Sequence, residues 1–284
     1  RHFRRQRQMC IRDSNIFNYP TTYQKASWVL HMLRHVVGDD LFFQILQTYY
    51  QEFKFKTINT TQFTELCERV SGVELDQFFD QWIYKGGAPS YRWLWLKTAT
   101  DAGWKVSGYI KQEQVSGPIF HMPIDLTVTT ASGEQTFVIQ NTQQEQEFEF
   151  FVAEEPQQVQ LDKDKWILAT VEEIQQPEFR LQEIELSDEN GELKDDFSPG
   201  ESGRITFWAH NSGISATDVV AELRSVDGFL TISNSSGSFD AVAAGESFDN
   251  GVSPFLFTVS ATAPKKLAQL ELTFKSAQGP DQIH

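Results

Sequence analysis

Cysteine is nearly missing from this chain: its 284 residues hold two, Cys10 and Cys67. That count excludes a disulfide scaffold and a thiolate zinc cluster, and it leaves the redox compartment open. Positive charge is scarce as well. Lys and Arg number 24 against 39 Asp and Glu, giving a formal charge of −15 and a sequence pI near 4.8. Nucleic-acid binding needs clustered cations, so no nucleic-acid partner is expected, and docking on anionic lipid is disfavoured for the same reason. No apolar run reaches the length of a membrane-spanning helix, so no membrane insertion is expected. No secretory leader is recognisable, but the chain does not begin like a natural N-terminus. What it has is apolar bulk: 40% hydrophobic residues with 23 Phe, enough for real cores in two or three domains.

Residues 1–14 stand apart. Arg1, Arg4, Arg5, Arg7 and Arg12 face only Asp13, a block of +4 that leaves −19 on the rest. The string is similar to translated sequencing-adapter sequence and is expected to be a non-native extension; a basic arm is the rival reading. On the first reading Cys10 carries no meaning and the native chain starts abruptly near Asn15.

Residues 15–87 have helical spacing. Thr21 or Thr22 is placed to cap a run in which Ala26, Val29, Leu30, Leu33 and Val37 recur at steps of three and four, with Gly38 as its stop. Asp39 or Asp40 is expected to cap a second helix through Phe42, Ile45, Leu46, Tyr49 and Phe53. Thr61 is expected to cap a third, ended by Ser71-Gly72, and a fourth carries Leu75, Phe78, Phe79, Trp82 and Ile83.

From residue 88 the period changes to two. Strands are expected at Tyr91–Leu96, Trp104–Ile110, Pro118–Thr130, Phe137–Ile139, Phe148–Val152 and Val159–Leu161, with Trp166-Ile167-Leu168 closing a seven-stranded β-sandwich over 88–172. Ala131-Ser132-Gly133-Glu134 is a hairpin signal. After a short linker, 173–284 repeats the strand-and-turn pattern, with Ser233 to Ser238 expected as a loop. The chain stops without a polar tail, so a truncated last sandwich is one expectation. Asn59-Thr60-Thr61 and Asn234-Ser235-Ser236 fit the glycosylation acceptor pattern and are read as chance matches in a bacterial protein.

The helical segment carries a resemblance. Tyr23-Gln24-Lys25-Ala26, the apolar helix with Leu30-His31-Met32-Leu33-Arg34, then Gly38-Asp39, Phe42-Phe43, Val70-Ser71-Gly72 and Phe78-Phe79-Asp80-Gln81-Trp82 come in fixed order, closed by Gly87 and Pro89. The set resembles the aminopeptidase N-type zinc metallopeptidases in the stretch after their zinc helices. The family usually has Gly where this chain has Ala26. The resemblance implies a fold class of multidomain α + β, the helical tail of a thermolysin-like catalytic domain followed by two β-sandwich domains. Pro156, Val159, Leu161-Asp162 and Trp166-Ile167-Leu168 resemble the end of the β domain that follows. The order Pro199-Gly200-Glu201, strand, Asn211-Ser212-Gly213, Ala216-Thr217 resembles, more weakly, the immunoglobulin-like modules of secreted bacterial peptidases, which implies a secreted, periplasmic or cell-surface location.

Zinc-assisted peptide hydrolysis needs a metal-held water, a general base and an oxyanion stabiliser. The family's H-E-x-x-H, which supplies two ligands and the base, is absent from this chain. His31 and His35 share a helix face, but Met32 stands at the base position and no third ligand is placed nearby, so packing or solvated histidines are the reading taken. No metal or cofactor contact is assigned, and zinc is implied for the intact parent alone. Tyr23 is the one catalytic residue carried over: it aligns with the family tyrosine whose neutral phenol donates to the oxyanion. Without the resemblance it reads as an ordinary tyrosine at a helix start. Tyr19 is a weaker candidate for the same cleft, and Cys67 reads as a buried structural thiol. Two functions stay open. One is a fragment of a zinc aminopeptidase acting on peptide substrates, inactive alone. The other is a non-catalytic binding or scaffolding protein of the same architecture. Preferred substrate residue and oligomeric state are not legible.

Overall fold

The computed structural model describes residues 23–284. They are mostly β-sheet, with four α-helices among them, and the chain divides into two units, 1–173 and 174–284.

Helix α1 (Lys25–Val37) buries Val29, Met32, Leu33 and Val37, while Ala26 and Leu30 face outward. The buried stripe is therefore turned from the expected one and takes in Met32. The Thr21/Thr22 cap lies outside the described residues. Gly38 stops α1 at φ +83°, its N–H bonding the Arg34 carbonyl at 2.9 Å. It also serves as N-cap of α2 (Asp39–Phe53), so neither aspartate caps. Asp39 sits in the first turn, where the N-terminal end of the helix dipole favours an anion, and takes two bonds from Arg34 at 2.7 and 2.6 Å. The cap of α3 (Thr60–Ser71) is Asn59, not Thr61: Asn59 and Gln62 exchange side-chain and backbone bonds in a capping box. Gly72 ends α3 in the left-handed region, as a C-terminal glycine does. The expected fourth helix is a single turn, α4 (Asp76–Phe79), which widens into a π-helical turn at Asp80–Tyr84.

Seven strands follow: β1 (Ser90–Thr100), β2 (Gly103–Gln112), β3 (Met122–Thr130), β4 (Gly133–Asn141), β5 (Glu145–Val152), β6 (Gln158–Leu161) and β7 (Thr170–Glu173). They form one sheet ordered β5-β2-β1-β7 and a second ordered β4-β3-β6. The β3–β4 hairpin turns at Ala131-Ser132 as the sequence signals. Two expectations shift. Strand β3 begins at Met122 because the Gln112 side chain satisfies both the N–H and the carbonyl of Phe120, at 2.9 and 2.7 Å, in place of a neighbouring strand. Trp166-Ile167-Leu168 is not a strand; its first two N–H groups bond the Asp162 carboxylate, and the closing strand is β7, parallel to β1.

The helices and these sheets share one buried core. Met32, Leu33, Ile45, Trp82, Tyr91, Ile110, Ile124 and Leu126 all belong to it. Trp82 is its hinge: the indole lies against Phe120 at 4.6 Å and donates to the Met122 sulfur at 3.4 Å.

The second unit holds β8 (Phe179–Ser187), β9 (Ser202–Asn211), β10 (Ala216–Ser225), β11 (Leu230–Asn234), β12 (Ser236–Val242), β13 (Ser247–Asp249), β14 (Phe255–Val259), β15 (Leu270–Ser276) and β16 (Gly279–Ile283). One sheet runs β12-β10-β15-β16. The other runs β11-β14-β9-β13, with β8 also on β9. Ser233–Ser238 is not a loop. Ser236 and Ser238 pair with Glu222 and Val220 of β10, and Asn234 is held by the Pro254 carbonyl at 2.8 Å. The core is largely phenylalanine: Phe179, Phe207, Phe248, Phe255, Phe257 and Phe274 are all buried, which accounts for much of the Phe excess.

Candidate functional site

Tyr23 sits two residues before α1 and is 50% exposed. Its carbonyl accepts the Ser27 hydroxyl at 2.8 Å, which fixes the entry turn. Lys25 donates to the Lys85 carbonyl at 3.3 Å, and Lys85 pairs with Asp80 at 2.5 Å, so this turn is tied to the π-helical turn. Beside it, Ala26, Leu30, Leu46, Phe63, Phe79 and Ile83 line an open apolar hollow of about 420 Å³. A half-exposed phenol on a pinned turn can reach a ligand and still be held in direction. Tyr19 lies outside the described residues.

His31 and His35 do share a face, and that face is covered. Both imidazoles stack on the Trp166 indole, at 4.6 and 4.9 Å and 15° from parallel. His31 Nε2 meets the Lys165 carbonyl at 3.2 Å, and His35 Nε2 lies 3.3 Å from Asp125 Oδ1. Their rings converge on an indole, and no group of three or more metal-ligating side chains occurs among the described residues. The donor set does not fit zinc. Cys67 is fully buried, and burial, with the charge of Glu68 adding to it, pushes its thiol up to about 12. At that value the thiolate is not populated near neutral pH, as expected for a structural residue.

Sequence reasoning missed the partners of this face. Asp162, at φ +48°, bonds the N–H groups of Trp166 and Ile167 at 2.7 and 3.0 Å and so presents the indole to α1. The signal was an aspartate at a strand end, four residues before a tryptophan. Burial raises the Asp162 carboxyl above its ordinary range despite those two N–H donors. Burial also raises Asp125, opposed by the charge of His35 and reinforced by that of Asp164.

Residues 6–82 match the peptidase family M1 domain. Over 76 residues the chain is 26% identical to aminopeptidase N of Lactococcus lactis subsp. lactis, covering 27% of this chain and 9% of that protein. Over 71 residues it is 31% identical to leucine aminopeptidase 2 of Lodderomyces elongisporus, covering 24% and 11%. Among solved structures, aminopeptidase A of Legionella pneumophila in complex with aspartic acid gives 17% identity and a TM-score of 0.45, over 56% of this chain and 18% of that one. The matches thus span about a tenth of the curated relatives. Over residues 6–82, this chain is similar to the aminopeptidases of peptidase family M1.

Proposed function

We propose that this chain is a C-terminal fragment of a zinc-dependent aminopeptidase that hydrolyses N-terminal residues from peptides, with Tyr23 as its oxyanion donor. The observation that carries the reading is the family M1 match, which runs through a tyrosine that is half-exposed at the start of a pinned helix. A phenol is neutral at pH 7 and directs one strong donor at charge that develops as water attacks the scissile carbonyl. The sequence carries no H-E-x-x-H; zinc and the general base are proposed to come from upstream sequence, and the chain alone is proposed to be inactive. A location outside the cytoplasm is part of the same proposal, on the likeness of 173–284 to modules of exported peptidases.

The test is made in the intact parent. Tyr23→Phe should lower turnover on the order of a hundredfold while zinc content stays unchanged. Unchanged turnover would remove Tyr23 from the mechanism. A complete parent gene without H-E-x-x-H would remove the enzyme reading itself.

A further inference from the structure

We propose that strand β4 is an open sheet edge on which two copies of this chain pair, β4 against β4, about a two-fold axis at Phe137. The proposal is independent of the aminopeptidase reading. It starts from the place of β4, which ends the sheet β4-β3-β6 and has β3 as its one neighbouring strand.

Which backbone groups of β4 are open follows from β3. The Asp125 and Thr129 carbonyls accept the Asp162 and Gln157 N–H groups on the β6 side, at 2.7 and 2.9 Å. Successive residues of an antiparallel strand turn their N–H and C=O to opposite sides. Ile124, Leu126, Val128 and Thr130 therefore bond β4, through their partners Ile139, Phe137, Gln135 and Gly133. Glu134, Thr136, Val138 and Gln140 are left with N–H and C=O pointing away from the sheet. All four are exposed, Val138 at 55%.

An edge of this kind is a template for another strand, and proteins ordinarily blunt it with charge, brevity or a bulge. The other sheet edges of the first unit are blunted. Strand β5 carries Glu145, Glu147 and Glu149, and β6 and β7 are four residues each. Strand β4 runs nine residues in unbroken register with β3, and its one charge, Glu134, is taken by Lys163.

The occupant follows from the sequence of the strand itself. Antiparallel pairing of two identical strands about Phe137 sets Thr136 opposite Val138 and Glu134 opposite Gln140 of the other copy. Every open N–H and C=O of β4 then has a partner, and no like charges meet. Phe137 faces its own copy on the side where its ring stacks on Phe150 at 4.0 Å, an aromatic cross-strand pair of the kind that stabilises sheets. An axis moved to Val138 leaves Glu134 open, and one moved to Thr136 leaves Gln140 open.

The experiment is sedimentation equilibrium of the full chain over a range of concentrations, with amide hydrogen exchange at both ends of that range. The wild type should pass from monomer to dimer, and the Thr136, Val138 and Gln140 amides should exchange more slowly in the dimer. Val138→Pro removes an outward N–H and no bond to β3, a position where an edge strand tolerates proline. It should keep the wild-type circular dichroism and stay monomeric, while Glu147→Thr on β5 should dimerise like the wild type. Gln140→Glu sets a like charge opposite Glu134 at both ends of the pairing and should raise the dissociation constant severalfold; Gln140→Lys should lower it. A wild type that stays monomeric overturns the proposal. So does a dimer in which those amides stay unprotected, or one that Val138→Pro leaves intact. Should Val138→Pro fail to fold, the two Gln140 variants decide: equal dissociation constants sink the pairing.

Discussion

Gln81 and His121 bond each other's amide groups twice: the Gln81 side chain donates to the His121 carbonyl and accepts from its N–H, both at 2.8 Å. Gln81 lies in the π-helical turn and is fully buried, and His121 leads into β3. A residue of backbone is therefore paired by a side chain forty positions away, and the helices are fixed to the sheet at that point. Gln81→Leu keeps the bulk and leaves a part-buried N–H and a part-buried carbonyl of His121 without their partner. A net hydrogen bond contributes about 0.5–1.5 kcal/mol, so losing the two should cost roughly 1–3 kcal/mol in denaturant unfolding. A loss below about 0.5 kcal/mol would mean that water reaches the joint and replaces the amide.

The capping box at Asn59 has a smaller and local effect. Asn59→Ala removes the side-chain acceptor for the Gln62 N–H and should cost about 1 kcal/mol, while Asn59→Asp should be close to neutral. Comparison of the two melting curves checks this. Equal losses in both would show that the bond from Gln62 back to the Asn59 N–H, and not the cap itself, holds the helix start.

Acid should weaken the second unit through carboxylates held by donors. Asp188 is lowered chiefly by the Glu192 N–H, with Asn190 adding, and Glu201 by Lys194 and the Ser198 N–H. A carboxylate depressed in the folded state contributes stability above its ordinary range, and that contribution is lost as pH falls through the depressed value. Asp188→Asn and Glu201→Gln should therefore lower the melting point at pH 7. The gap from wild type should close progressively from about pH 4 downward. Melting of each variant as a function of pH checks it; a gap that stays constant would assign the effect to lost packing instead of charge. Asp162 works in the opposite direction, since burial raises it.

What the sequence disclosed and what it hid divides by distance along the chain. The stops at Gly38 and Gly72 were readable because glycine alone takes a left-handed turn freely, and β3 announced itself by alternating Met122, Ile124, Leu126 and Val128. The Asn59 cap was local too, but Thr61 offered another capping side chain two residues on, and geometry chooses Asn59. The aromatic abundance was legible as core; its pairings, such as Phe207 with Phe274 at 5.3 Å, were not. His31 shows the limit most clearly. Its partners Lys165 and Trp166 lie more than 130 residues ahead, so no window of sequence could tell a packed histidine from a ligand. Tyr23 is the reverse case: nothing in its surroundings marks it, and only its place in an ordered family pattern does.

The same covered histidine face makes a prediction about metal. Zinc in protein sites takes three or four ligands, with imidazole nitrogens at about 2.0–2.1 Å. For His31 and His35 to chelate, both rings would have to leave the Trp166 indole, and His35 would also leave Asp125. That sacrifices stacking and strands a buried carboxylate, with no third ligand to compensate. The purified chain, equilibrated with zinc and dialysed, should therefore hold well under one equivalent, and it should not release aminoacyl groups from a chromogenic amide. His31→Gln and His35→Gln should leave the residual metal unchanged. Near-stoichiometric zinc that falls in either variant would show that the helix reorganises to bind it, and the search for the missing ligands would return to this chain.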